Sequence, residues 1–177
     1  MGAALVHPRI SVEEFLRRPP RADGWGEELI DGEVILSPNA KKLHTNASSR
    51  VFKLLLPLEQ HGFIVLGEVA CRLTADSLPN TDAAVVDQKR WDAVPDNEFL
   101  RESPALAIEV HSPTNTKSKL LRKVELYLEH GAEQCWVIYP KQRKVVIYFP
   151  DGTSEQVRET ETLSFHDCVI AVSDLFA

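Results

Sequence analysis

Apolar residues along the chain recur with two different periods, and the switches between them mark its elements. From Lys41 to about Gln60, Leu43, Ala47, Val51, Leu54, Leu55 and Leu58 fall at helical spacing. Pro57 should kink or end that helix, because proline has no amide hydrogen to give to the preceding turn. His61-Gly62 closes the segment. A second amphipathic helix is predicted over KSKLLRKVELYLEH, with Leu120, Leu121, Val124, Tyr127 and Leu128 on its inner side and Gly131 as its stop. Near the start, Ser11 and Glu14 form a capping box ahead of a short helix to about Arg18, which Pro19-Pro20 ends. The tail VSDLFA predicts a short final helix.

Elsewhere the pattern is that of strands. EELIDGEVIL reads as a hairpin turning at Asp31-Gly32, a dipeptide that suits a tight two-residue turn, and Ser37-Pro38 breaks its second strand. FIVLGEVACRLT predicts one or two strands, and DAAVV a short apolar one. ALAIEVH is almost continuously apolar, as in a central strand covered on both faces. QCWVIYP and KVVIYF follow, the latter turning at Asp151-Gly152 into TSEQVRE. Residues 88–103 are polar and loop-like, anchored by Trp91 and Phe99, and SPTNT is a loop of turn formers. ALAIEVH, its following helix and QCWVIYP make a strand–helix–strand unit whose strands should be parallel neighbours. The whole predicts one mixed α/β domain over 1–177, a central sheet with helices on its faces.

Composition narrows the function. The 177 residues suit one ordinary domain, and 44% hydrophobic and 26% charged residues are normal for a globular protein. No apolar run is long enough to span a bilayer, and the N-terminus lacks the features of a signal peptide, so the expectation is a cytoplasmic protein without membrane contact. Gly2 is present, but Val6 stands where a myristoylation signal wants Ser or Thr. Cys71, Cys135 and Cys168 are odd in number, far apart and without metal-ligand spacing, and read as core thiols. The net charge of −6 excludes a general nucleic-acid coating protein but leaves room for local basic patches, as at Lys41–Lys42 and Lys117–Lys123.

Two carboxylates then stand out, because each interrupts an apolar strand. Asp82 opens DAAVV, and Glu109 lies inside ALAIEVH. A buried carboxylate must neutralise, find a partner or bind a cation. Alternation puts Ala105, Ala107, Glu109 and His111 on one face and Leu106, Ile108 and Val110 on the other, so small residues leave room beside Glu109. If the two strands are neighbours, the carboxylates converge and Mg²⁺ or Mn²⁺ would relieve their repulsion, with structural salt bridges as the alternative. Lys123, on the flank of the next helix, can reach the same place, and Lys119 competes with it. Glu28 is a candidate third carboxylate, and His44 and His111 are candidate contacts to phosphate or water. No P-loop, dinucleotide fingerprint, zinc spacing or nucleophile elbow is present.

ELIDGEVILSP, a histidine a few residues on, the Asp-Ala-Ala-Val-Val strand, AIEVHSPTN, and Lys123-x-x-x-Tyr127-x-x-x-Gly131 leading into CWVIYP occur in that order. Together they resemble the Uma-type endonuclease family, a bacterial domain of the PD-(D/E)XK nuclease superfamily common in cyanobacteria. The resemblance runs from about Ser11 to Asp174-Leu175-Phe176. It implies a restriction-endonuclease-like core and a divalent metal at the carboxylates. Asp82 takes the place of the motif Asp and Glu109 that of the second acidic residue. His111 holds the position of the superfamily lysine, whose role passes to Lys123, while Glu28 and His44 match the family's acidic residue and histidine. One departure is visible: the family writes Pro directly before the motif Asp, whereas Asn80-Thr81 here separate Pro79 from Asp82. Asp76 is the less favoured substitute.

The expectation is a metal-dependent endonuclease that hydrolyses DNA phosphodiesters. Asp82, Glu109, Glu28 and the Val110 carbonyl would hold Mg²⁺ or Mn²⁺, and Lys123 would orient water. The partner would be DNA, with a homodimer also open. The alternative is a non-catalytic nucleic-acid- or protein-binding module that keeps the nuclease fold.

Overall fold

Local signals give the first elements directly. In the computed structural model, which describes residues 9–23, 25–37, 40–112 and 116–177, the Ser11 side chain accepts from the Glu14 amide at 3.2 Å while Glu14 accepts from the Ser11 amide at 2.8 Å, and helix α1 (Val12–Leu16) starts there. The break at Pro38, the Pro113-Thr114-Asn115 part of the SPTNT loop and the N-terminal stretch lie outside the described residues. Asp31 and Gly32 both take positive φ, 49° and 77°, and so join β1 (Gly26–Ile30) to β2 (Glu33–Ser37) by the expected two-residue turn. Helix α2 (Lys42–Leu55) gives way at Pro57 to a 3₁₀ turn over Leu56–His61, and Gly62 ends it in the left-handed region.

The sheet strands follow as β3 (Phe63–Leu66), β4 (Val69–Ala70), β5 (Asn80–Thr81), β6 (Ala83–Asp87), β7 (Leu106–Val110), β8 (Gln134–Tyr139), β9 (Lys144–Tyr148) and β10 (Ser154–Arg158). Six of them form one mixed sheet in the order β10-β9-β8-β7-β6-β3. Within this sheet, among the described residues, only β7 and β8 pair in parallel, with Glu109 opposite Val137, because α4 (Lys117–Glu129) carries the chain back over the sheet between them. This is the expected strand–helix–strand unit. Two apolar layers sandwich the sheet. Val51 and Leu55 of α2 pack with Val85, Ile108, Trp136 and Ile147 on one face. Leu120, Val124 and Tyr127 of α4 pack with Ala84, Ala107, Cys135 and Val137 on the other. Glu109 shares the α4 face with Ala107, as alternation requires, but Ala105 precedes the strand and packs in the opposite layer.

Two further elements depart from the sequence reading. Residues 88–103 contain a short helix, α3 (Gln88–Asp92), because Asp87 accepts from the Arg90 amide at 3.0 Å and caps it. A hairpin of β11 (Thr162–Phe165) and β12 (Cys168–Ala171), for which no element was expected, precedes the final 3₁₀ turn over Val172–Leu175. The three cysteines are buried free thiols. Among the described residues, no helix is long and apolar enough to cross a membrane.

Candidate active site

The α4 face of the sheet is apolar around β7 except at Glu109, which is 3% exposed. Two residues one turn apart on α4 reach it. Lys123 Nζ donates to the Glu109 carboxylate at 2.9 Å, and the Tyr127 hydroxyl donates to Glu109 Oε1 at 3.0 Å. Lys123, itself 9% exposed, also lies 2.8 Å from Glu28 Oε2 and donates to the Asn80 carbonyl at 2.8 Å. Its ammonium thus has three oxygen partners and no need of water. Glu28 comes from β1, which is a separate hairpin and must be pinned to the main sheet. Leu29 and Leu78 exchange backbone hydrogen bonds, the Gly32 amide donates to the Asp76 carbonyl at 2.7 Å, and Arg122 of α4 pairs with Asp31.

Asp82 sits at the bend between β5 and β6. Its Oδ2 accepts from the Val110 amide at 2.6 Å and lies 3.2 Å from His44 Nε2. Val110 directly follows Glu109, so Asp82 and Glu109 meet at one point of β7. The N–H and C=O of an extended residue lie along the same strand edge, so the Val110 carbonyl faces the Asp82 side too. The two residues between Pro79 and Asp82 are part of this arrangement. Asn80 and Thr81 form β5, and the Asn80 amide donates to Glu28 at 3.1 Å while its carbonyl receives Lys123.

Glu28 and Glu109 share one permanent cation with Asp82 nearby, so with all three carboxylates ionised the group would carry two more negative than positive charges before His44 is counted. The consequences appear in the proton affinities. Burial, with the charges of Asp82 and Glu28, pushes the Glu109 carboxyl up to about 8 against the pull of Lys123. Burial opposes charge on Lys123, but Glu109, Glu28 and Asp82 outweigh it and hold the ammonium protonated. Burial also opposes charge on His44, yet its bond to Asp82 raises its affinity above the ordinary value. His44 Nδ1 is buried without a protein partner. The donor set fits a hard divalent cation: carboxylate oxygens, a backbone carbonyl and an unmet negative charge. Among the described residues, no group of three or more His, Cys, Asp or Glu side chains is placed to hold a metal ion by itself. An ion there would keep several waters, as Mg²⁺ does.

The five candidate side chains fall into two contact groups, Lys123 with Glu28 and Glu109 and His44 with Asp82, linked where Asp82 accepts from the Val110 amide next to Glu109. Asp76 joins neither; its side chain accepts from Thr74 at the foot of the hairpin. Lys119 is exposed, whereas Lys123, one turn on, is buried at the site. His111 stacks on Tyr139 rather than joining the carboxylates. Two groups escaped the sequence reading. Tyr127 occupies an inner helical position and looks like core, though its place one turn after Lys123 was a usable signal. The Asn80 backbone has no side-chain signature at all.

A mixed sheet with an Asp at the head of one strand, a Glu in its neighbour and a Lys on the following helix is the arrangement that the resemblance to restriction-endonuclease-like proteins implied. The chain belongs to the family described as "Uma2: Putative restriction endonuclease", which matches residues 12–175. Among solved structures it is similar to "a putative nuclease belonging to DUF820" from Anabaena variabilis, with 22% identity, 94% of this chain and 97% of that one covered, and a TM-score of 0.82. That likeness establishes the shared fold. No curated protein matches the chain.

Proposed function

We propose that this protein is a metal-dependent endonuclease acting on DNA phosphodiester bonds. The observation that carries the reading is that Asp82 accepts from the Val110 amide, next in the chain to Glu109, whose carboxylate shares Lys123 with Glu28. Asp82, Glu109, the Val110 carbonyl and Glu28 would hold Mg²⁺ or Mn²⁺. When bound, the ion would polarise the phosphate and lower the pKa of water. Lys123 is held charged, so it would offset phosphate charge rather than act as a base, and it could orient water only with a hydrogen freed when a bound ion takes over Glu28 or Glu109. Tyr127 and Glu28 fix the Lys123–Glu109 pair, and His44 fixes Asp82. Wild-type protein should nick supercoiled DNA with Mg²⁺ or Mn²⁺, and Glu109→Gln should not. Nicking equal in the two would overturn the assignment.

One observation favours a non-catalytic module instead: Lys123 already binds both Glu28 and Glu109, so the cluster holds together without an ion. The two readings part on metal binding. A nuclease site should raise its melting temperature with Mg²⁺, because the ion binds only the folded state, and Glu109→Gln should abolish the rise. A module completed by Lys123 should show none.

A further inference from the structure

One step along β7 from the carboxylates lies a second, chemically different group. His111 follows Glu109 by two residues, which places it on the same face about 7 Å further on. Its ring stacks on Tyr139, with centroids 4.8 Å apart and an interplanar angle of 27°. Tyr139 is paired across the sheet with Lys144, whose Nζ lies 5.4 Å from the ring centroid. Imidazole, phenol and ammonium thus form a row over the ends of three adjacent strands, and all three are only half-buried. Lys141 is exposed in the turn beside them.

Cross-strand rows of this kind also stabilise sheets. What points beyond that is position and company. Flat rings flanked by lysines, beside carboxylates suited to phosphodiester chemistry, are what a nucleic acid with exposed bases needs: stacking for the base and positive charge for the backbone. A duplex buries its base faces within the stack, so such a ledge discriminates in favour of unpaired bases. We propose that the His111–Tyr139 ledge stacks an unpaired base of a single-stranded DNA segment next to the site at Glu109, with Lys141 and Lys144 against the adjoining phosphates. This rests on the nuclease reading above and assigns its substrate class.

The test is binding of short labelled DNA strands to Glu109→Gln protein at low salt with Mg²⁺. Wild type in EDTA gives the same comparison should that variant not fold. A thymidine strand should bind more tightly than a blunt duplex of equal length. His111→Ala should weaken the thymidine strand about 5- to 100-fold, the scale of one lost base stack. It should leave an abasic strand of the same length unaffected, and His111→Phe should restore binding. Equal loss on the abasic strand would make His111 a phosphate contact and overturn the proposal. So would unchanged affinity in His111→Ala, preference for the duplex, or no strand binding at all. Cleavage by wild type is scored separately. Cleavage without base-dependent binding removes the ledge alone, and base-dependent binding without cleavage removes the nuclease reading alone.

Discussion

Lys123 behaves at this site as a cation built into the core. Burying a charge is costly, and removing one partner of a buried ion pair leaves the other uncompensated, typically at 3–5 kcal/mol. Lys123→Met should therefore destabilise the protein by about 3–5 kcal/mol, measured by urea denaturation in EDTA. If the carboxylates can hold Mg²⁺, adding it should recover part of that loss in the variant, since the freed charge then has a partner. A loss under about 1 kcal/mol would mean that Glu28 and Glu109 take up protons at little cost. Tyr127→Phe removes one hydrogen bond to a buried carboxylate and should cost about 1.5–3 kcal/mol in the same assay. His44 adds a pH dependence of known sign. Its folded-state affinity is raised above 6.5, so its contribution is fully present below that value and fades as pH rises through the raised one. In EDTA, the stability margin of wild type over His44→Gln should shrink across that window. A margin that grows with pH would mean that Asp82 does not hold the imidazolium. Asp82, Glu109 and Lys123 were legible because each is a charge where the pattern requires burial or reach. Tyr127 was not, because a tyrosine on the inner face of a helix satisfies the pattern without its hydroxyl.

Elements place these residues, and the critical one is the β1–β2 hairpin, which brings Glu28 from outside the main sheet. Its turn is tightly constrained. Gly32 has a φ of 77°, and a Cβ there would stand 2.7 Å from the Arg9 Cβ. Gly32→Ala should cost at least about 1 kcal/mol from backbone strain alone and should loosen Glu28 from Lys123. Asp31 shares the left-handed conformation, which asparagine also tolerates, so Asp31→Asn removes charge without adding strain. The Arg122 guanidinium depresses the Asp31 pKa below its ordinary 3.8. That pairing stabilises above this value and is lost as pH falls through the depressed one. The difference between wild type and Asp31→Asn should accordingly vanish in acid and persist at neutral pH. A difference that survives in acid once the carboxyl has taken up its proton would assign it to hydrogen bonding rather than charge. The hairpin was visible from Asp31-Gly32 flanked by apolar pairs. Its docking was not, because Leu29–Leu78, Gly32–Asp76 and Arg122–Asp31 join residues 44 or more apart in sequence and carry no local period. The α4 unit was legible for the opposite reason: strand, helix and strand are consecutive, and handedness leaves one way to stack them. The β11–β12 hairpin lacked both signals, being short and turned at His166-Asp167 instead of a glycine dipeptide.

At the scale of the molecule, the difficulty is charge. A protein of net charge −6 repels nucleic acid on average, so if it acts on DNA as proposed, the strand must approach over a local basic surface. The fold supplies one from two helix starts. Lys41 and Lys42 precede His44 at the head of α2, and Lys117 and Lys119 precede Lys123 at the head of α4, all four exposed. Lys41 and Lys42 thus stand within about one turn of His44, and Lys117 and Lys119 within about two turns of Lys123. Neutralising phosphates releases counterions, so affinity should fall linearly on a log–log plot against salt. If all four lysines engage a single strand, the slope should be about −3, from roughly −0.7 per contact. Lys117→Glu should weaken binding to every sequence alike and flatten the slope by about one contact's share. Lys53, on α2 but at its far end, is the internal control, and Lys53→Glu should change neither slope nor affinity beyond the general effect of added negative charge. Equal effects of the two reversals would mean that the helix starts do not form the approach and that the protein meets nucleic acid by another face.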